Sequence, residues 1–148
     1  MEFTAIPTVL SSYDPVTGMF YVGNENGNLL QLSLRDSILT IESVLSYHTA
    51  PITSISTHVG DGFSSFIQGN DTLQHLVLTS SFDWSVCLWL PSVTNNPILR
   101  LLCFTTYIIS VRWHPIHPLL FFVVTENNYI QLWNLLKSQT VFILDVFY

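Results

Sequence analysis

The chain has 148 residues, enough for one domain with a sizeable core, and 49% of it is hydrophobic while only 9% is charged, against roughly 25% charged in typical soluble proteins. A surface so poor in charge points to faces meant to be covered by more protein. The net charge is -6, and the four basic residues, Arg35, Arg100, Arg112 and Lys137, form no cluster, which excludes a nucleic-acid footprint and attraction to an anionic membrane surface.

In chain order, β-branched and aromatic runs bounded by Gly, Asn, Asp and Pro predict strands throughout, without strong helix signals. Ile6 to Ser11 is the first strand. A hairpin follows, with Met19 to Gly23, the turn Asn24-Glu25-Asn26-Gly27, and Asn28 to Leu32; Ser37 to Leu45 completes the unit. A second unit opens with Ile52 to His58. The polar stretch 60–74, rich in Gly, Ser, Asn and Asp, predicts an extended surface loop. After it come His75 to Ser81, the turn Phe82-Asp83-Trp84, Ser85 to Leu90, and Ile98 to Phe104. The third unit comprises Ile109 to Trp113, Leu120 to Thr125, the turn Glu126-Asn127-Asn128, Tyr129 to Trp133, and Thr140 to Val146. Pro15, Pro115 and Pro118 fall between strands, where a missing N–H costs little. The longest apolar run, Leu119 to Val124, is too short to span a bilayer. Met1-Glu2-Phe3-Thr4 lacks the features of a signal peptide, which predicts a cytosolic or nuclear compartment.

The three hairpins share one register. Asn26, Asp83 and Asn127 hold the same turn position, and Leu32, Trp89 and Trp133 hold the position six residues later. Trp89 and Trp133 are 44 residues apart, within the roughly 40–45 of a WD-type propeller blade. Leu32 and Trp89 are 57 apart, with the excess in the 60–74 loop. The expectation is an all-β WD-repeat β-propeller fragment across 1–148. Its three four-stranded blades span about 4–46, 47–106 and 107–148, and the ring is not closed.

The middle unit carries the most chemistry. His48 precedes the inner strand, Thr79 and Trp89 lie on the hairpin strands, and Asp83 sits in the turn. In WD repeats such residues form a buried hydrogen-bonded chain from Trp through Thr and His to Asp; a buried indole N–H and a buried carboxylate each need a partner. Ser81 shares the face of Thr79 and is an alternative member. With Leu32 and no matching His, the first unit is expected to lack this chain. Catalytic readings are weaker. Ser81, His48 and Asp83 have triad residue types, but no nucleophile elbow accompanies them. His114 and His117, flanking Pro115, read as a rigid turn and not as metal ligands. Glu25, Asp61 and Glu126 are isolated acids, and no Gly-rich phosphate loop or other cofactor motif occurs. Cys87 and Cys103 lie in apolar runs without a CxxC pattern, so both are expected to be buried reduced thiols. Phe82 and Trp84, beside a turn, are candidate partner contacts, with packing between blades as the alternative.

Several segments together resemble the C-terminal propeller of a cytoplasmic dynein intermediate chain. They are Ala50 to His58, His75 to Trp89, His117 to Phe121, and Leu132 to Leu135. Phe82-Asp83-Trp84 is the distinguishing piece, because most WD repeats carry Gly after the Asp. The match runs from about Met19 to Leu135. Departures are Cys87 in place of the usual basic residue before Leu-Trp, and Leu90 in place of the acidic or polar residue after it. The resemblance implies a non-catalytic scaffold of a microtubule motor, in the cytoplasm and on the cytoskeleton, whose propeller docks on the dynein heavy chain. A WD-repeat adaptor of another complex, ciliary or axonemal included, is the alternative. The light-chain and dynactin-binding region of the family has no counterpart in this sequence, so those partners are not expected. The family propeller also has more than three blades, so the chain is expected to be a fragment or a shortened relative that needs a partner or aggregates.

Overall fold

The computed structural model describes residues 5–11, 13, 18–58, 75–137 and 139–145. Among these residues the ordered structure is all strand. β1 (Pro7–Leu10), β2 (Met19–Asn24), β3 (Asn28–Arg35) and β4 (Ile38–Ser46) form one sheet. β5 (Ile52–Thr57), β6 (Val77–Ser81), β7 (Val86–Trp89) and β8 (Leu99–Leu101) form the second. β9 (Ile108–Trp113), β10 (Leu120–Thr125), β11 (Tyr129–Asn134) and β12 (Gln139–Asp145) form the third. Each is antiparallel with its strands in sequence order. No helix of the described residues is long and apolar enough to cross a membrane. The 60–74 stretch lies outside the described residues.

The repeat is written into the backbone. The last hairpin rungs are Gly23–Leu29, Ser80–Val86 and Val124–Ile130, which puts Asn26, Asp83 and Asn127 three residues on in every turn. The next residue is left-handed each time: Gly27 at φ 81°, Trp84 at 67° and Asn128 at 65°. The first strand of each sheet carries a one-residue bulge at the same rung, leaving Thr8, Thr53 and Ile109 unpaired. Such bulges re-aim a side chain. The Thr8 hydroxyl donates to the Ile52 carbonyl at 2.6 Å, and that of Thr53 to the Ile108 carbonyl at 2.8 Å. The first two bulges thus tie their sheets to the first strand of the next. Ile109, third in the series, has no hydroxyl to continue the pattern.

The sheets pack face to face through these first strands: β1 against β5, and β5 against β9. Alternation along β7 sends Cys87 and Trp89 toward the first sheet, where they meet Leu29 and Leu45 together with Ile52 and Ile55 of their own sheet. Val86 and Leu88 point the other way, into a cluster with Ile108, Val111, Trp113 and Phe121. A strand covered on both faces has no room for polar alternation, which is why β6 and β7 are buried throughout. Val22, Leu30 and Leu32 form a smaller cluster with no residue of the second sheet in it. The sheets form an arc and do not close.

One predicted strand is shorter than expected. Of Ile98 to Phe104, only Leu99–Leu101 pairs, against Val86 to Leu88. Past that point Phe104 turns inward to pack on Trp133, with ring centroids 5.3 Å apart, and Leu102 and Cys103 are turned out to solvent. The expectation of two buried thiols therefore fails for Cys103. Cys87 is buried, and desolvation, with Asp83 nearby, pushes its thiol up to about 12.

Candidate functional site

The β6–β7 hairpin and the loop entering β5 bring His48, Thr79, Asp83 and Trp89 into one line. The Trp89 indole N–H donates to Thr79 Oγ1 at 2.8 Å. His48 Nε2 lies 2.8 Å from the same oxygen, and His48 Nδ1 lies 2.9 Å from Asp83 Oδ2. Every polar atom is satisfied when His48 carries its proton on Nδ1: the Thr79 hydroxyl then donates to Nε2, and Nδ1–H donates to the carboxylate. Trp89 and Thr79 are both fully buried, so removing any link would strand a polar group.

Burial alone would raise the Asp83 carboxyl, but hydrogen bonds from His48 and Ser85, the nearby imidazole and the Thr49 N–H outweigh it and hold it at about 2. Ser85 is a member that sequence reasoning missed. Its hydroxyl donates to Asp83 Oδ1 and sits 2.9 Å from His48 Nδ1, and its N–H donates to Asp83 Oδ1 at 3.1 Å. The signal was available: an Asp that bonds the N–H two residues on is the ordinary Asx turn, and Asp83-Trp84-Ser85 has that spacing.

Ser81 does not stand in for Thr79. Its hydroxyl donates to the Ala50 carbonyl at 2.9 Å and accepts the Asp83 N–H at 3.1 Å, which stitches the turn to the loop before β5. Ser85 is the serine beside His48 and Asp83, but it is buried and bonds the same imidazole nitrogen that faces the carboxylate. A triad needs an accessible nucleophile on the opposite nitrogen. His114 Nδ1 accepts the N–H groups of Ile116 and His117, both at 3.1 Å, and its ring stacks on Phe122. These bonds hold the Pro115 turn. Among the described residues no group of three or more His, Cys, Asp or Glu is placed to hold a metal ion.

The polar chain belongs to the middle sheet alone. Matching rungs of the third sheet place Phe104, Val123, Asn127 and Trp133 where the second has His48, Thr79, Asp83 and Trp89. There the indole N–H donates to Gln131 at 2.9 Å. In the first sheet Val22, Asn26 and Leu32 occupy three of the four positions.

Phe82 and Trp84 both face solvent in part and pack between sheets in part. They are 43% and 45% exposed, so neither is spent on the core. Their rings also meet Tyr107, at the entry to β9, edge to face at 5.5 and 6.1 Å.

Comparison with known proteins gives the following. A family model described as the dynein axonemal intermediate chain 3 WD40 domain matches residues 3–141. The cytoplasmic dynein 1 intermediate chain of Drosophila melanogaster is 34% identical over 120 residues, which is 81% of this chain and 17% of that protein. Dynein axonemal intermediate chain 3 of Macaca fascicularis is 24% identical over 136 residues, 91% of this chain and 15% of that protein. The chain thus spans less than a fifth of the length of these relatives. The crystal structure of the Myceliophteria thermophila Cps50 (Swd1) beta-propeller domain superposes with a TM-score of 0.74 at 15% identity, covering 97% of this chain and 40% of that one. That likeness shows the fold: an arc of a β-propeller.

Proposed function

The chain belongs to the family of dynein intermediate chain WD40 domains, and on that premise we propose that it is a non-catalytic scaffold that docks on a dynein heavy chain in a microtubule-based motor. The observation that carries this reading is the family match across nearly the whole chain, joined to a site whose polar groups are consumed by one another. His48, Thr79, Asp83, Ser85 and Trp89 use their hydrogen-bonding capacity internally and leave the turn residues Phe82 and Trp84 to meet a partner. In this role the buried chain is structural: it fixes the hairpin that carries those two rings. The cytoplasm and the cytoskeleton are the corresponding location.

The test is purification of the tagged 148-residue chain from cells that express both cytoplasmic and axonemal dyneins. Dynein heavy chain in the eluate is the expected result. A different complex without heavy chain would replace this reading with the alternative, a WD-repeat adaptor of another complex. Whether the heavy chain recovered is cytoplasmic or axonemal distinguishes the two kinds of dynein named in the relatives. Labelling by an activity-based serine probe would overturn the non-catalytic assignment.

A further inference from the structure

The turns of the three hairpins and the loops entering β1, β5 and β9 form one rim of the arc. The N–H groups of Glu25, Phe82 and Glu126 donate to the carbonyls of Ile6, Pro51 and Tyr107 at 2.9, 3.1 and 3.0 Å. The same bond, three times over, fixes which side chains share this rim.

Three observations converge there. Trp84 takes a left-handed backbone conformation, φ 67°, that is a true outlier for a bulky residue, at the position where the other turns place Gly27 and Asn128. Strain of this kind collects at ligand clamps, and here it holds out a half-exposed ring. Secondly, the Phe82, Trp84 and Tyr107 rings adjoin a concave patch lined by Thr8, Pro51, Ile52, Thr53, Phe82 and Ile109. Ile109, at the bulge position that carries Thr8 and Thr53 in the other sheets, is 44% exposed and extends the apolar surface. Thirdly, the rim carries acids in the hairpin turns. Glu25 and Glu126 are exposed on the rim. Three of the four cations lie elsewhere: Arg35 and Lys137 at the β3–β4 and β11–β12 turns of the opposite end, and Arg112 near the far end of β9. The fourth, Arg100 on β8, is held at the loop entering β5, over the Tyr47 ring and bonded to its hydroxyl at 3.0 Å.

We propose that this rim docks an extended cationic segment of a partner protein. Arg or Lys heads lie over the faces of Trp84, Tyr107 and Phe82 and near Glu126 and Glu25, and an intervening apolar residue fills the patch beside Ile109. Aromatic faces attract cations; Arg100 already lies over one such ring, Tyr47, and the Phe82, Trp84 and Tyr107 rings beside Glu126 offer the same chemistry to a partner's cations. This proposal deepens the reading of Phe82 and Trp84 as partner contacts and rests on it. It is tested with a peptide in place of heavy chain, so that failure of heavy-chain docking and failure of the cationic rim are separate results.

The probe is a fluorescein-labelled peptide, Arg-Leu-Arg-Pro-Arg-Leu-Arg, titrated with the full chain by fluorescence anisotropy at near-physiological salt. A counterpart with Glu for every Arg serves as comparison. Saturable binding of the Arg peptide alone is expected. Trp84→Gly should weaken it by about five-fold or more with the melting temperature unchanged or raised, because Gly suits the left-handed turn. Glu126→Lys should weaken it likewise. The pair Asn95→Lys and Asn96→Lys, exposed on the β7–β8 connection at the opposite end, makes the same change in net charge and should leave binding intact. Absence of binding, equal binding of the Glu peptide, full affinity in Trp84→Gly, or equal loss in the Asn95/Asn96 pair would each overturn the proposal.

Discussion

Thr79 shows how much can depend on one hydroxyl. It accepts from Trp89 and donates to His48, both out of contact with water. Replacing it with Val keeps the shape and strands two buried groups, each worth about 1–3 kcal/mol. Thr79→Val should therefore lower the unfolding free energy by about 3 kcal/mol in a denaturant titration. Asp83 and His58 together set the acid response. Asp83 is held at about 2, below its ordinary 3.8, so its contribution is complete above 3.8 and is lost as pH falls toward 2. Burial lowers buried His58, stacked on Trp113 at 4.0 Å, from 6.5 to about 4, only partly countered by a backbone bond at Pro118. The neutral ring is favoured by the fold, so this contribution is complete above 6.5 and drains away between 6.5 and 4. Denaturation midpoints measured from pH 7 to 2 should fall in two stages, the first ending near 4.

At the scale of the element, the turns and bulges define the repeat. Gly27 takes φ 81°, and a Cβ there would lie 2.2 Å from the His48 carbonyl oxygen. Backbone cannot yield as a flexible side chain does, so Gly27→Ala should destabilise by more than about 2 kcal/mol, read as a drop in melting temperature. Thr53→Val tests the tie between sheets. It removes the bond to Ile108 and the contact of the Thr53 hydroxyl with Ser80 at 2.8 Å, a loss of about 1–2 kcal/mol. The three-hairpin register was readable because turn residues announce themselves chemically. The bulges were not readable: Thr8, Thr53 and Ile109 share a position but not a residue type, and their alignment appears only once the strands pair. The outer strand of the second sheet was overestimated for a related reason. Ile98 to Phe104 has strand composition, but Phe104 gains more by packing on Trp133 in the next sheet than by extending the ladder.

For the whole molecule, the arc has a first sheet and a third sheet that each present a face to solvent. Ile41 pairs beside Leu32 on one and Leu144 beside Ile130 on the other, and both are substantially exposed. Apolar faces and open strand edges promote association. Sedimentation velocity should show self-association that rises with concentration and is reduced by Ile41→Lys together with Leu144→Lys. A monodisperse monomer at all concentrations would contradict this.

The sequence by itself determined the strands, the three hairpins in register and the family. Those features rest on local rules: period-two hydrophobicity, turn chemistry and the Phe82-Asp83-Trp84 signature. The tertiary structure decided what those rules cannot see. It kept Thr79 as the link to Trp89 and gave Ser81 another bond, because Ser81 ends β6 beside the turn, where its hydroxyl meets the Ala50 carbonyl. It added Ser85, exposed Cys103, and brought Tyr107 and Ile109 to Phe82 and Trp84 across more than twenty residues of chain. Each of these depends on how one sheet sits against the next, a long-range fact that no single segment encodes.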